Sequence, residues 1–206
     1  MTDADASLRE ASVESLFSRS GALLEGHFLL KSGRHAGRYL EKFLVLQHPA
    51  TGVELCRRFA SVLAAYAPTL VVGPTTGGVL LSFEVARQLG GSVRSAFAEP
   101  TSPGGRGLRR GWPVSPSERV VVVDDILTTG ASLLETVDAV KAAGVAPLAA
   151  AVIVDRSVEP VELGVPLHAL GRLEIPSWEA DACDLCGAGL PLRTPGSSQP
   201  VPPAPG

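Results

Sequence analysis

Four consecutive β-branched residues, Val120 to Val123, run directly into two adjacent acids, Asp124 and Asp125, and then into Ile126-Leu127-Thr128-Thr129-Gly130. An uninterrupted β-branched run reads as a strand buried on both faces, which a parallel sheet covered by helices provides. The strand is expected to end at the two acids. Carboxylates at the carboxyl end of such a strand stand where open α/β sheets bind ligands. The Thr-Thr-Gly turn that follows opens a helix and offers backbone N–H groups and two hydroxyls, a suitable seat for a phosphate. Acids for hydroxyls or a metal, next to donors for a phosphate, describe a site for a sugar phosphate with Mg²⁺.

The rest of the chain has the rhythm such a sheet requires. Short strands are expected at Leu70–Val72, Val93–Ala98 and Leu148–Val154, with helices over Thr51–Ala65, from the loop at Gly73–Gly78 to Leu89, and over Ser132–Ala143. Strands alternating with helices imply an α/β fold with a central parallel sheet flanked by helices. Ahead of it, residues 7–20 suggest one helix, and residues 21–35 short strands with a polar turn. Pro100–Ser117 interrupts the rhythm with four prolines, four glycines and three arginines (Arg106, Arg109, Arg110). Segments of that length inside a compact domain are usually lids or disordered, and a hairpin around Leu108–Val114 could partly order this one. From about Thr194 the Pro-rich tail lacks the apolar content to fold. One domain over 1–193 is expected, with disorder over 194–206.

Composition narrows the class. With 206 residues, 45% of them hydrophobic, the chain can bury one sizeable core. A net charge of −3 provides no broad basic field for nucleic acid. No run of eighteen apolar residues exists, and the acidic, polar N-terminus is unlike a signal peptide, so a soluble cytoplasmic protein without membrane partners is expected. Three cysteines are too few for a disulfide framework. Cys56 falls on an apolar helical face. Cys183-Asp184-Leu185-Cys186 has the spacing of half a zinc site, but there is no second cysteine pair, and the nearest histidine in sequence, His168, lies fifteen residues earlier. A redox pair or a plain structural element is therefore expected there, and no metal-ligating residue is assigned.

The stretch Val123 to Ser132 resembles the phosphoribosyl-pyrophosphate (PRPP) signature of type I phosphoribosyltransferases: a hydrophobic strand, two acids, two apolar residues, then Thr-Thr-Gly. Phe28-Leu29-Leu30-Lys31-Ser32-Gly33-Arg34, with His35, Tyr39 and Leu46-Gln47-His48-Pro49, is similar to the N-terminal segment of orotate phosphoribosyltransferases. Cys183 to Ser197 is similar to the C-terminal stretch of one bacterial branch of that family. The resemblance implies a type I phosphoribosyltransferase fold with a small hood from about residues 1–50. It further implies transfer of phosphoribosyl from PRPP to orotate in pyrimidine biosynthesis, Mg²⁺ bound mainly through PRPP or pyrophosphate, and a homodimer.

Residue by residue, the resemblance assigns Asp124 and Asp125 to the ribose hydroxyls or to water around Mg²⁺. It assigns Ile126, Leu127, Thr128, Thr129, Gly130, Ala131 and Ser132 to the loop around the 5′-phosphate. Thr75, Thr76, Gly77 and Gly78 would grip the pyrophosphate, and Lys31, Arg34 and Arg156 would surround orotate, a flat anion that needs a cation and fixed donors. The chain departs from the family at two places. Thr76 stands where many members carry lysine, and the loop after Pro100 holds no lysine or histidine, leaving Arg106 and Arg109 as the catalytic lid cations, with Arg110 beside them. Arginine can bind pyrophosphate in a bidentate way. A purine or uracil phosphoribosyltransferase, or a PRPP-sensing regulator on the same fold, is the alternative reading.

Overall fold

The computed structural model describes residues 3–30 and 32–195. In chain order its elements are α1 (Asp3–Glu10), α2 (Val13–Arg19), β1 (Leu23–Leu29), β2 (His35–Leu40), α3 (Lys42–Leu46), α4 (Pro49–Leu63), β3 (Leu70–Pro74), α5 (Gly77–Leu89), β4 (Arg94–Pro100) and β5 (Arg106–Gly107). They continue with β6 (Val120–Leu127), α6 (Ala131–Ala142), β7 (Ala149–Asp155), β8 (Leu167–Arg172), β9 (Ser177–Trp178), α7 (Asp184–Gly187) and β10 (Leu192–Arg193). Six strands form the central sheet in the order β5-β4-β3-β6-β7-β8, all parallel except the short edge strand β5.

Alternation along the central strands sends side chains to opposite faces, and both faces are buried. Val71, Val121, Val123 and Ile153 pack with Phe17, Leu55, Phe59, Leu63, Leu81 and Val85 on one side. Leu70, Val72, Val120, Val122 and Val152 pack with Leu133, Val137 and Val140 on the other. This is the α/β sheet expected from the β-branched runs.

The structure departs from the sequence reading in several elements. β6 does not stop at the acids. It keeps its register with β7 through Asp124↔Val152, Ile126↔Val154 and Leu127↔Asp155, whereas pairing with β3 ends at Val72↔Val122. The acids are therefore strand residues at the point where β3 has turned away into its loop. The single helix expected over 7–20 is two helices, because the Ser12 hydroxyl accepts from Ser15 N at 3.1 Å and starts α2 afresh. No hairpin forms around Leu108–Val114. The hairpin lies earlier, pairing Glu99 with Gly107 and Pro100 with Arg106. Leu108, Trp112 and Val114 are instead anchors packed on the second core cluster, and Trp112 meets Phe97 edge-on at 5.5 Å. The tail over 196–206 lies outside the described residues, as does Lys31.

The second sheet, β10-β1-β2-β9, is the hood. It takes its central hairpin from the N-terminal region and both outer strands from the C-terminal segment, so the hood is not built from residues 1–50 alone. This arrangement also overturns the distance argument at the cysteine pair: β1 and β2 bring His27 and His35 to Cys183 and Cys186.

Candidate active site

The two acids are buried, Asp124 at 5% exposure and Asp125 at 2%. Asp124 Oδ1 accepts from Asp125 N at 2.8 Å and Oδ2 from Ser132 Oγ at 2.8 Å, so the strand acid is tied to the first turn of α6. Burial, with the neighbouring Asp125 charge adding to it, raises Asp124 to about 6. Asp125 Oδ1 accepts from Ile126 N at 2.7 Å and from Lys42 Nζ at 3.0 Å. Its Oδ2 lies 2.9 Å from the same ammonium but in poor hydrogen-bond alignment, and it is left buried without a hydrogen bond. Lys42 carries no signal in the linear pattern. It stands one residue past Glu41, which accepts from Phe43 N at the start of α3, and reaches the site across 83 residues of sequence.

Two glycine-bearing loops complete this edge. A Cβ on Gly77 would stand 2.0 Å from Asp125 Oδ2, and one on Gly73 would stand 2.2 Å from the Gly78 carbonyl oxygen, so the loop between β3 and α5 closes against the acid only with glycine there. Thr76 is exposed at the mouth of this loop, and Thr75 is partly buried. At the other loop, Gly130 (φ +79°) starts α6 with no side-chain cap, and no acid occupies the first turn. The first α6 carbonyl–amide bond runs from Leu134 N to Gly130 O, leaving the amides of Ala131, Ser132 and Leu133 to face an anion. Thr128 and Thr129 are exposed beside them. The structure thus gathers Asp124, Asp125, Ile126, Leu127, Thr128, Thr129, Gly130, Ala131 and Ser132 at one strand end, with Thr75 to Gly78 across from them.

Arg156 follows β7 at the same edge, its backbone N–H donating to Leu127 O at 2.8 Å. Its guanidinium makes no ion pair among the described residues, and Nε is buried without a hydrogen bond. Desolvation lowers its pKa, with the Tyr39 phenol acting in the opposite direction. A half-buried guanidinium with no carboxylate beside it among the described residues suits an anionic ligand.

Two other candidates behave differently from the sequence expectation. Arg34, expected beside orotate, is engaged by β9. Nε donates to Ser177 Oγ at 2.9 Å, Nη2 donates to Ser177 O, and Nη1 pairs with Glu179, which fastens the hairpin turn to β9. Arg106 is not a free lid cation. Nη1 donates to Thr75 O, Thr75 Oγ1 and Ala98 O at 3.2–3.3 Å, and Nε lies 3.4 Å from Glu135. The β4–β5 hairpin turns this side chain inward, where it braces the Thr75 loop. Arg110 is paired with Glu99 at 2.6 Å, and Arg109 is exposed with no ion pair among the described residues.

This sheet edge and its two loops define a transferase domain of the phosphoribosyl class, and the family described as phosphoribosyl transferase domain matches residues 45–163. An orotate phosphoribosyltransferase of Pelotomaculum thermopropionicum is 45% identical over 185 residues, covering 90% of this chain and 96% of that protein. One of Desulforamulus reducens is 42% identical, covering 89% and 95%. The Mycobacterium tuberculosis orotate phosphoribosyltransferase structure superposes with a TM-score of 0.64 at 24% identity, over 82% of this chain and 96% of that one, a likeness of fold. The chain belongs to the orotate phosphoribosyltransferase family, whose members are pentosyltransferases.

Proposed function

We propose that this chain transfers phosphoribosyl from PRPP to orotate, giving orotidine 5′-monophosphate and pyrophosphate, as a step of pyrimidine biosynthesis. The observation that carries the reading is the pairing, on one sheet edge, of two buried acids flanked by phosphate-ready loops with an arginine that has no ion pair among the described residues. Thr128 to Ser132 hold the 5′-phosphate through their amides and hydroxyls. Asp124 and Asp125 accept from the ribose hydroxyls and face the positive charge that builds on the sugar as its bond to pyrophosphate breaks. Lys42 orients Asp125. Thr75 to Gly78 receive the departing pyrophosphate, and Arg106 keeps that loop in place. Arg156 pairs with the orotate carboxylate, and Lys31 joins it on the family resemblance. Arg109 is the lid cation for pyrophosphate.

The donor set fits Mg²⁺ held mainly through PRPP: hard carboxylate oxygens, one of them buried without a hydrogen bond, suit a hard cation and its water. When bound, the ion neutralises charge on the diphosphate leaving group. Two exposed apolar side chains on one turn of α5, Leu80 (55%) and Phe83 (65%), support the homodimer of the family reading. Among the described residues no helix is long and apolar enough to cross a membrane; the cytoplasm is the location of the family reading.

The test follows orotate absorbance with purified protein, PRPP and Mg²⁺, beside uracil, hypoxanthine and adenine. Consumption of orotate alone, abolished in Asp125→Ala, is the expected result. Turnover of another base, or none while PRPP still raises the melting temperature, would overturn it.

A further inference from the structure

Outside the active site, the hood holds a second concentration of chemistry. His27 on β1, His35 on β2, and Cys183 and Cys186 at either end of the α7 turn present one ligand atom each, and all four atoms lie within 4.8 Å of one another. His27 Nε2 is 3.0 Å from His35 Nδ1 and 3.5 Å from Cys183 Sγ, while Cys186 Sγ is 3.8 Å from His27 Nε2 and 3.3 Å from His35 Nδ1. A tetrahedral ion with bonds of about 2.3 Å to sulfur and about 2.0–2.1 Å to nitrogen separates its ligands by roughly 3.3–3.8 Å. Four of their six separations, 3.0–3.8 Å, are already close to that spacing.

Two further observations favour a metal over a chance cluster. His27 Nδ1 lies 2.9 Å from Leu190 O. A carbonyl can only accept, so Nδ1 carries the proton and the Nε2 lone pair faces the cluster. This is the outer hydrogen bond that fixes a metal-bound imidazole. The second is the poverty of the C-terminal segment. From Glu174 to Pro195, Cys183 is the single buried residue, and the segment's two strands are two residues long each. A segment with so little apolar surface to bury needs a staple. The α7 turn, with Cys186 N and Gly187 N both directed to Cys183 O, presents the two thiols together.

We propose that His27, His35, Cys183 and Cys186 bind one structural zinc ion that fastens the C-terminal segment to the hood hairpin. The two histidines are the residues at which the outer strands pair, His27 with Leu192 and His35 with Trp178. One ion therefore closes both edges of the four-stranded sheet. Two thiolates and two imidazoles around a closed tetrahedral centre suit zinc, which needs no open position in a structural role. On binding, each thiol loses its proton to solvent and the ion takes both thiolates. The hairpin so held ends where Leu30 N donates to Arg34 O, which on the proposed reading borders the base.

The test is metal analysis of the full chain purified without chelator, together with the absorption spectrum of protein refilled with Co²⁺. One zinc per chain is expected, with intense tetrahedral d–d bands and thiolate charge transfer on cobalt substitution. Cys183→Ser/Cys186→Ser and His27→Gln should each retain less than about a tenth of the metal. The cobalt spectrum needs no variant, so a variant that fails to fold does not block the test. Metal-free protein with a Cys183–Cys186 disulfide, an iron chromophore, octahedral cobalt bands, or zinc retained in full by folded His27→Gln would each overturn the proposal. None of these readouts depends on which base is the acceptor.

Discussion

Lys42 Nζ stands 2.9 Å from Asp125 Oδ2, and this ammonium is the one cation paired with the buried acid among the described residues. The lysine side chain is 35% exposed and the aspartate side chain 3%, so the pair spans the boundary between solvent and core. Deleting the lysine leaves a buried charge without its partner, though water can reach the gap. Lys42→Met is expected to lower unfolding free energy by about 1–2 kcal/mol, between the values for exposed and buried pairs. It should also reduce turnover by at least about tenfold, as misplaced catalytic groups do. Urea unfolding and steady-state rates check both, and an unchanged rate would remove Lys42 from the site.

The contact between Gly77 and Asp125 predicts non-additive mutants. A methyl at Gly77 collides with Oδ2, so Gly77→Ala alone should be destabilised and inactive. In the Asp125→Ala background the collision disappears. The double mutant should be more stable than the two single effects sum to, by more than about 1 kcal/mol. Additive effects measured in a double-mutant cycle would mean the loop moves away from the acid.

Arg106 and Arg109 should separate cleanly. Arg106 makes three hydrogen bonds to Thr75 and Ala98 from a largely buried position, so Arg106→Ala is expected to lower the melting temperature, at a cost of about 2–3 kcal/mol. Arg109 is exposed, and Arg109→Ala should leave stability within about 0.5 kcal/mol while lowering kcat. Thermal scans and kinetics on both variants distinguish a brace from a lid cation.

Arg156 has a buried Nε without a hydrogen bond and no ion pair among the described residues, so its removal should be felt by the anion it awaits. Arg156→Gln is expected to raise KM for orotate by about 10- to 100-fold, the worth of charge-assisted hydrogen bonds, with KM for PRPP nearly unchanged. A parallel rise in both constants would place the side chain at the donor instead.

Asp124 sets a pH dependence of known sign. Its folded value of about 6 lies above the ordinary 3.8, so the native chain keeps this proton where the unfolded chain has lost it. The group's contribution to stability is full below about pH 4 and is lost as the pH rises through about 6, on the order of 3 kcal/mol. Asp124→Asn, neutral throughout, should melt about 7 °C above the native protein at pH 7.5 and lose that advantage near pH 4. Calorimetry at both pH values measures the difference, and a gap independent of pH would contradict the burial argument.

The β-branched run Val120–Val123 and its Asp-Asp-Ile-Leu-Thr-Thr-Gly continuation were sufficient to read a parallel sheet, its helical cover and the phosphate end of the site. These features are local: strand period, turn chemistry and helix start are decided by residues next to one another. Even there β6 runs past the acids, because where it stops depends on β7 continuing to pair with it after β3 has left. What the fold alone decided are the contacts between distant residues. Lys42 meets Asp125 because α3 begins beside the end of β6. Arg34 and Arg106, to which the family resemblance gives substrate-facing roles, are held by Ser177 and Glu179 and by Thr75 and Glu135, residues distant in the chain. His27 and His35 lie about 150 residues from the cysteines they face, a distance that hairpin and sheet pairing close and that no linear motif can express. Sequence determined which chemistry the sheet edge could carry; tertiary packing decided which cations serve it and which side chains hold the hood together, because those choices depend on proximity in space rather than along the chain.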